Sequence, residues 1–318
     1  MKEIGGYLEF EKYHGKMLHS DGIKLNCGRN CLAYLILARK IKKIAVPYFM
    51  CDAVFDVCKR YGTEIHYYHV NEFFLPENLV LENDEWMYIM NFYGQLATEV
   101  IEDYVHKCKH VIVDFAHDYF HEKVKGADTI YTCRKFFGVS DGAILYTNAE
   151  TPLIEIEIDE SFERINYLFG RYERIASEFY DEFAKNNTFF ANQPIKKMSK
   201  ITENFLHSFD YEKIKRQRSN NFHYLHERLH SINMLELQVP EGAYAYPLMV
   251  KNGAELKKQL INHNIFVPTL WPNVLQNMQV TDIEHRMVKD ILPLPCDQRY
   301  LPEDMQYMVN LIFQYQNN

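Results

Sequence analysis

The sequence predicts an α/β fold, with a mostly parallel mixed sheet in a large N-terminal domain and a small α+β domain at the C-terminal end. In the first half of the chain, apolar strand patterns alternate with helical patterns every twenty residues or so, which is typical of a parallel sheet covered by helices. After residue 155 the pattern changes to long charged helices and short strands. A chain of 318 residues is long enough for two cores. We therefore expect domains at 1–200 and 201–318.

The elements of the large domain follow from apolar periodicity. Residues 1–26 contain four glycines and are expected to form an arm and loops. A helix is expected to begin at Gly28, because apolar side chains recur at helical spacing until a basic run at residues 39–43 suits its carboxyl end. The other expected elements are strands at 44–49, 64–70, 86–92, 111–113, 129–133 and 143–147, and helices at 52–60 and 97–109.

The second half of the chain predicts a different arrangement. Residues 161–185 are expected to form one or two helices, and residues 211–230 a second long helix. The expected elements that follow are strands at 235–239, 243–250 and 265–267, a helix at 254–263, a proline-marked stretch at 292–295 and a last helix at 302–314.

Composition limits the classes of function. The hydrophobic fraction of 47% and the charged fraction of 25% indicate a globular protein, and a net charge of -8 disfavours non-specific nucleic-acid binding. Seven cysteines are dispersed without a CxxC pair, so we expect no metal site and a reducing compartment. No long apolar run and no signal-like start are present, which predicts a cytoplasmic protein without a membrane span.

The segment with the strongest candidates for catalytic residues lies between positions 110 and 148. A buried strand ends in Asp114, and the next strand delivers Lys135 into a turn that contains Gly138 and Gly142. Ligands bind at the carboxyl ends of parallel strands, where these two side chains are expected. Taken singly, an aspartate after a strand is more often a cap or turn residue, and a lysine in a turn is usually solvated.

An acid at one strand end and a lysine at the next suit pyridoxal phosphate (PLP). That cofactor needs a lysine for a Schiff base and a carboxylate against its ring nitrogen. Lys135 can supply the first and Asp114 the second. Burial and the neighbouring Arg134 are both expected to lower the pKa of Lys135 and so favour its neutral amine.

Other polar residues predict the remaining contacts of the cofactor. His117 is placed to reach the ring hydroxyl, although a lone histidine is more often structural. Thr132, Arg134 and the tripeptide Gly28, Arg29 and Asn30 at a helix start are candidates for the phosphate. Tyr93, at another strand end, is the candidate for substrate contact.

These segments resemble those of the DegT-type sugar aminotransferases, PLP-dependent enzymes of fold type I (the aspartate aminotransferase fold). The similarity is carried by five segments and the tail. They are residues 27–30, 46–48, 92–95, 113–117 and the set Lys135, Gly138, Asp141 and Gly142, with the tail at 292–295 and 303–305. The most specific part is the pair of motifs between Asp114 and Gly142.

The resemblance implies the fold type I architecture and a set of roles. Lys135 would form the Schiff base and shuttle protons, Asp114 would bind the pyridinium nitrogen, and His117 would lie near the ring hydroxyl. It also implies a homodimer with the active site at the subunit interface.

The sequence departs from the family pattern at two positions near the expected site. The aromatic residue that usually stacks on the cofactor ring falls near Met50 and Cys51, and Arg134 precedes the lysine where a small or polar residue is more usual. The chain is also short for the family. These departures affect the substrate pocket and part of the cofactor contacts.

The sequence therefore predicts a PLP-dependent aminotransferase that transfers an amino group from an amino acid such as glutamate to a keto-sugar, nucleotide-linked. Another PLP-dependent reaction, or a non-catalytic or regulatory protein that keeps the fold, are the alternatives. A nucleotide-binding Rossmann enzyme is disfavoured because no GxGxxG follows a strand. Arg216, Arg218 and Arg299 are candidates for a substrate anion, although the first two are expected on an exposed helix face.

Overall fold

The protein, described by a computed structural model over residues 4–150, 155–277 and 279–316, is built on one large sheet. The strands are β1 (Ile23–Leu25), β2 (Lys43–Pro47), β3 (Glu64–Val70), β4 (Pro76–Glu77), β5 (Trp86–Met90), β6 (Val111–Asp114), β7 (Asp128–Thr132), β8 (Ala143–Tyr146), β9 (Tyr246–Met249) and β10 (Ile291–Leu294). The helices are α1 (Gly28–Arg39), α2 (Asp52–Arg60), α3 (Thr98–Lys107), α4 (Asn166–Glu173), α5 (Tyr180–Phe189), α6 (Lys200–Leu206), α7 (Tyr211–Leu229), α8 (Gly253–Asn262), α9 (Asp282–Asp290) and α10 (Pro302–Gln316). Short 3-10 turns lie at Phe92–Gly94, Phe162–Arg164, Ala176–Phe179 and Pro272–Gln276.

The large sheet is mixed and mostly parallel. Its eight strands lie in the order β1-β8-β7-β6-β5-β2-β3-β4. Neighbours from β7 across to β3 are parallel, whereas β8 and β1 on one side and β4 on the other are antiparallel. Every residue of β5 and β6 is buried, because the sheet is covered on both faces, and this explains why these strands read as apolar runs. The predicted α/β class is confirmed.

Several predicted boundaries agree with the structure. The helix expected at 52–60 and the strand expected at 64–70 have these bounds. Strands β1 and β4, which were not predicted, are three and two residues long, too short to show an alternating pattern. Helices α6 and α9 were also not predicted.

The helical segment expected at 161–185 is broken into pieces. Helix α4 ends at Glu173, and Arg174 after it is extended. A Cβ added at Gly170 would lie 2.2 Å from the ring of Phe179, so the segment after Arg174 packs closely against α4 at this glycine. The expected one or two helices are therefore two, α4 and α5, separated by a 3-10 turn.

Two predicted strands in the second half were wrong. Residues 235–239 form no strand, because the backbone N–H and C=O of Gln238 bond to the side-chain amide of Gln95 at 2.8 and 3.2 Å. Residues 265–267 form none either. The amide of Ile265 closes the end of α8 by bonding to Leu260, and Pro268 follows directly.

A second hydrophobic core lies in the C-terminal part of the chain. It is formed by the carboxyl half of α7, the antiparallel pair β9 and β10, α8 and α10. Leu206 and Tyr211 belong instead to the core around the large sheet. The division into domains at 1–200 and 201–318 stays a prediction. Within the described residues, no helix is long and apolar enough to cross a membrane.

Candidate active site

The sheet brings Asp114 to its carboxyl edge. Asp114 is the last residue of β6, opposite Met90 of β5 and Ile130 of β7. Its side chain accepts hydrogen bonds from the hydroxyl of Tyr88 at 2.6 Å and from the amide of Ala116 at 2.8 Å. Burial raises the pKa of Asp114, whereas these bonds and the charge of Lys135 oppose that rise. The site thus holds a buried carboxyl whose donors favour the ionised form.

Lys135 lies within electrostatic reach of Asp114. It follows the end of β7 by three residues. Burial lowers the pKa of Lys135, Asp114 and Cys51 oppose that change, and Arg134 adds to it. The direction of the pKa shift is the one expected from the sequence. The residue nevertheless keeps an exposed surface, so it lies at the edge of the packed core rather than inside it.

The turn after Lys135 is held in place by hydrogen bonds of Asp141. This buried carboxylate accepts hydrogen bonds from the amide and hydroxyl of Ser199 at 2.8 and 2.7 Å and from the hydroxyl of Thr202. The next residue, Gly142, has a φ of 111° that only glycine adopts readily, and its amide bonds to the carbonyl of Asn26 at 2.6 Å. The acidic-glycine motif therefore sets the turn that carries Lys135.

His117 presents a free ring nitrogen. The imidazole is buried, and its Nδ1 accepts a hydrogen bond from the amide of Tyr93 at 3.4 Å. Burial holds the pKa of His117 well below its usual range, so the ring is neutral and its proton is on Nε2. Among the described residues this Nε2 has no hydrogen-bond partner. His117 is therefore a buried donor available to a ligand.

Two aromatic residues that sequence reasoning missed cover His117. Tyr244 stacks on the imidazole with a centroid separation of 4.2 Å and Trp271 with one of 5.6 Å. The Nζ of Lys135 lies 5.6 Å from the centre of the Tyr244 ring. Both rings come from the C-terminal part of the chain, where no local pattern distinguishes them.

Tyr93 contributes backbone rather than side chain to this arrangement. Its ring is 1% exposed and packs near Phe74 and His117. The residue has a φ of 56°, unusual for a side chain of this size, and its amide is the group that orients His117. Substrate contact through its phenol stays a prediction that this burial does not favour.

The start of α1 lies beside the end of β7. Cys27 precedes the helix without a side-chain cap, so the first amides are available to a ligand. A Cβ added at Gly28 would lie 2.7 Å from the Cγ2 of Thr132, which shows how closely the two segments approach. The positive charges of Arg29 and Arg134 both act on the thiol of Cys27 and lower its pKa against the larger, opposite effect of burial. Four of the residues predicted for a phosphate are thus brought to one place.

Arg134 and Asn30 are held differently from one another. The guanidinium of Arg134 lies 5.0 Å from the centre of the Phe190 ring and donates to Asn187, and its buried Nε has no partner among the described residues. The side-chain amide of Asn30 instead donates to Asn26 at 2.8 Å and to the carbonyl of Pro194 at 2.7 Å. Asn30 therefore shapes the loop, whereas Arg134 keeps a donor free.

Cys51 lies near Lys135 and Asp114. Burial raises the pKa of its thiol, Lys135 lowers it and Asp114 raises it further. It precedes α2 at the carboxyl end of the β2 segment. The structure thus has a thiol close to the two charged groups.

The three arginines considered for a substrate anion are in different environments. Arg218 is 2% exposed, so the expectation of an exposed helix face was wrong for it, whereas Arg216 is exposed. Arg299 makes a bidentate pair with Asp297 at 2.7 and 2.8 Å. All three nitrogens of the Arg218 guanidinium thus donate to protein groups, and Arg299 is already paired with an acid.

Two cavities lie away from these residues. One of about 780 Å³ is bordered by Asp159, Arg164 and Phe189, and one of about 200 Å³ by Phe74, Leu96 and Gln238. In the larger cavity Arg164 is already paired with Asp159 at 2.9 Å. Neither cavity is lined by Asp114, His117 or Lys135, so the carboxyl edge of the strands at Lys135 remains the candidate site. Among the residues described by the structure, no group of three or more histidines, cysteines or acids is placed to hold a metal ion.

Comparisons with known proteins place this geometry in a fold class. No protein-family model matches the chain, and no curated protein matches it in sequence. The structure of DesV from S. venezuelae in complex with a ketimine intermediate is similar with a TM-score of 0.64 at 12% identity, covering 93% of this chain and 85% of that chain. A DegT DnrJ EryC1 StrS aminotransferase from Brucella abortus gives a TM-score of 0.63 at 14% identity, covering 93% and 86%. The GDP-4-keto-6-deoxy-D-mannose-3-dehydratase from E. coli, with bound hydrated PLP, gives 0.62 at 12% identity, covering 92% and 87%.

The chain therefore has the fold of the PLP-dependent transferases of fold type I. The predicted resemblance to the DegT-type enzymes is confirmed for the fold, since the similar structures cover nearly the whole chain. At these sequence identities the similarity shows the fold alone, and the activity has to be argued from the residues of the site.

Proposed function

We propose that the protein is a PLP-dependent aminotransferase that transfers an amino group from an amino acid such as glutamate to a keto-sugar, nucleotide-linked. The observation that carries the proposal is the position of Asp114 at the end of β6 and of Lys135 just after the neighbouring strand β7, at the carboxyl edge of the parallel strands. Each group shifts the pKa of the other toward its charged form. A lysine and a buried acid in this relation are what the cofactor requires.

The residues present fit PLP at each of its polar ends. Lys135 would bind the cofactor covalently and Asp114 would face its ring nitrogen. The free Nε2–H of His117 suits the ring oxygen, which is a hydrogen-bond acceptor. The uncapped start of α1 at Gly28 and Arg29, with Thr132 and the free Nε of Arg134, suits the phosphate.

PLP supplies an electron sink when it is bound. The protein's own groups set the proton positions around it. Tyr88 and the amide of Ala116 keep the carboxylate of Asp114 in a fixed orientation. The lowered pKa of Lys135 leaves more of its Nζ neutral, so that this atom can accept a proton and return it. The Tyr244 and Trp271 rings keep water from His117, whose proton stays on Nε2.

The proposed substrates follow the descriptions of similar structures. Those descriptions include sugar aminotransferases and a dehydratase that acts on a nucleotide-linked keto-sugar. They support a role in nucleotide-sugar biosynthesis.

We also propose a homodimer in the cytoplasm, with the active site at the interface between its subunits. The segment between residues 158 and 183 leaves many large apolar side chains exposed, which a second copy could cover. They are Ile158, Phe162, Phe169, Tyr172, Ile175, Tyr180 and Phe183.

The test is the visible spectrum of the purified protein after incubation with PLP. We expect an absorbance band from cofactor attached to Lys135, which changes when glutamate is added. The Lys135→Ala variant loses the attached band, and Lys125→Ala, at an exposed lysine of the same segment, keeps it. Wild-type protein that never binds PLP would overturn the proposal.

Two alternatives remain distinguishable. One similar structure is a dehydratase, so a different PLP reaction would show cofactor binding and sugar turnover without amino transfer. The thiol of Cys51, where an aromatic ring is more usual, favours a non-catalytic or regulatory protein that keeps the fold. For such a protein the cofactor band appears, but no keto-sugar of a panel is turned over with glutamate.

A further inference from the structure

Arg218 of α7 is a buried cation that uses backbone rather than an acid as its partner. Its side chain is among the largest that are fully buried. In the described part of the chain, every hydrogen bond of its guanidinium goes to a carbonyl oxygen or to the side chain of Gln298, and none goes to a carboxylate. Burial lowers the pKa of Arg218, as expected for a guanidinium without a directly bound anion. Such a group is costly to bury unless each donor is satisfied.

The acceptors belong to two separate segments that meet at the candidate site. One nitrogen of Arg218, Nη2, donates to the carbonyl of Phe136, the residue after Lys135, at 3.1 Å. The other, Nη1, donates to the carbonyl of Ala243 at 2.8 Å and more weakly to that of Tyr244 at 3.5 Å. One planar group therefore joins the lysine turn to the segment that carries the Tyr244 ring.

Two further contacts stabilise the position of the Arg218 guanidinium between these segments. Gln298 accepts from the Nε of Arg218 at 2.6 Å and donates to the carbonyl of Phe136 at 2.8 Å. The guanidinium also lies 4.7 Å from the centre of the Phe136 ring, a cation–π contact. A lysine could not reproduce this fork, because it has one charged nitrogen and no planar set of donors.

We infer that Arg218 is a positioning residue that fixes the turn carrying Lys135 against the Tyr244 ring. Tyr244 stacks on His117 at 4.2 Å and lies 5.6 Å from the Lys135 amine. Arg218 binds the Phe136 and Ala243 carbonyls on either side of these contacts, so the position of the Tyr244 ring beside the amine depends on Arg218. The inference rests on the proposed function, since it treats Lys135 as the reacting amine.

The electrostatic surroundings of Lys135 give the measurable consequence. Three groups act on the charge of Lys135, one each from β6, from the segment between β2 and α2 and from its own turn. The aromatic ring beside the amine comes from the residue two before β9. These groups are Asp114, Cys51, Arg134 and the ring of Tyr244. Burial is the largest influence and lowers the pKa of Lys135. Release of the Tyr244 segment removes protein from around the amine, and the weaker desolvation moves this pKa upward.

The experiment measures the reactivity of Lys135 without the cofactor. Trace acetic anhydride is added to cofactor-free protein at a series of pH values, and acetylation of Lys135 is followed by peptide mass spectrometry. The variants are Arg218→Met and Arg218→Lys, with Arg216→Met as the matched control on the exposed side of the same helix. We expect both Arg218 variants to titrate at higher pH than wild type and the control to overlay it. A shift of 1 unit corresponds to about tenfold slower labelling at neutral pH.

A second variant covers the case in which Arg218→Met does not fold. Gln298→Ala removes one donor to the Phe136 carbonyl and the acceptor of the Arg218 Nε. It leaves the Arg218 bonds to Phe136 and Ala243, so we expect a smaller shift in the same direction. If the variants lower the melting temperature but their labelling curves coincide with wild type, Arg218 is merely structural and the inference is wrong. Failure to bind PLP would overturn the proposed function instead, and the labelling result would still decide the role of Arg218.

Discussion

At the scale of single residues, Asp118 is a buried acid that the proposed chemistry does not use. It is 7% exposed and accepts a hydrogen bond from the side-chain amide of Asn91 at 2.9 Å. Burial raises the pKa of Asp118 to about 7, against the smaller opposite effects of Asn91 and Lys215. The folded protein therefore holds this proton more tightly than the unfolded chain does.

The consequence for stability has a definite sign. Between the ordinary pKa of 3.8 and the folded value of about 7, the folded state binds more protons, so stability falls as the pH rises. Above pH 7 the full cost of ionising a buried carboxyl is present, and from the size of the shift it is at most about 4 kcal/mol.

Asp118→Asn is expected to remove this pH dependence. The amide still accepts from Asn91 but carries no charge, so the stability of the variant relative to wild type increases as the pH rises from 5 to 8.5. Urea unfolding at both pH values measures this, with Asp103→Asn on the exposed face of α3 as the control. An equal effect at both pH values would show that Asp118 is not ionised across this range.

At the scale of elements, the start of α1 is fitted closely against β7. The Cγ2 of Thr132 lies where a side chain at Gly28 would have to be. Both residues are proposed to hold the phosphate, and the separation of the two segments decides whether the free amides of α1 face the same space as Thr132.

Gly28→Ala is expected to lower the unfolding free energy by about 1–3 kcal/mol, because the new Cβ lies 2.7 Å from the Thr132 methyl. The double variant with Thr132→Ser, which lacks that methyl, should recover most of the loss. Gly138→Ala is the matched control, since a Cβ there meets no atom within 4 Å. A single variant as stable as wild type would contradict the close fit, and chemical denaturation measures all three.

The elements also show which patterns the sequence could reveal. Strands buried on both faces, such as β5 and β6, are runs of apolar residues with Asp114 at the end, so strand and site residue were predicted together. Tyr88 within β5 was missed as a partner of Asp114, although a hydroxyl in a buried strand requires an acceptor. The sequence left open whether residues 161–185 form one helix or two, because the position of the break at Arg174 accompanies the packing of Phe179 on Gly170.

At the scale of the whole molecule, Glu284 links the C-terminal part of the chain to the large sheet. This side chain is fully buried within α9. It accepts from the amide of Val70 at 3.1 Å and is bonded to His69 at 2.9 Å, both in β3. It also completes the capping box with Thr281. The Glu284 carboxyl thus caps the start of its own helix and also accepts hydrogen bonds from the sheet.

Glu284→Ala is expected to destabilise the protein by roughly 2–5 kcal/mol, because it leaves the buried Val70 amide and the start of α9 without an acceptor. Glu255→Ala, at an acid on the exposed face of α8, is the control and should change stability by less than about 1 kcal/mol. Guanidinium denaturation gives both values. A loss no larger than that of the control would mean that α9 is held by its apolar contacts alone.

The sequence by itself determined the α/β class, the positions of the central strands and the polar residues that end them, Asp114, His117 and Lys135. These follow from local patterns, because burial on both faces dictates apolar runs and a parallel sheet gathers the residues that end its strands. Only the tertiary structure decided which distant groups surround them. Arg218 meets the Phe136 carbonyl from 82 residues away, and Tyr244 reaches His117 from another part of the chain. Such contacts depend on how separately folded segments pack, and packing of this kind leaves no periodic signal in the residues themselves.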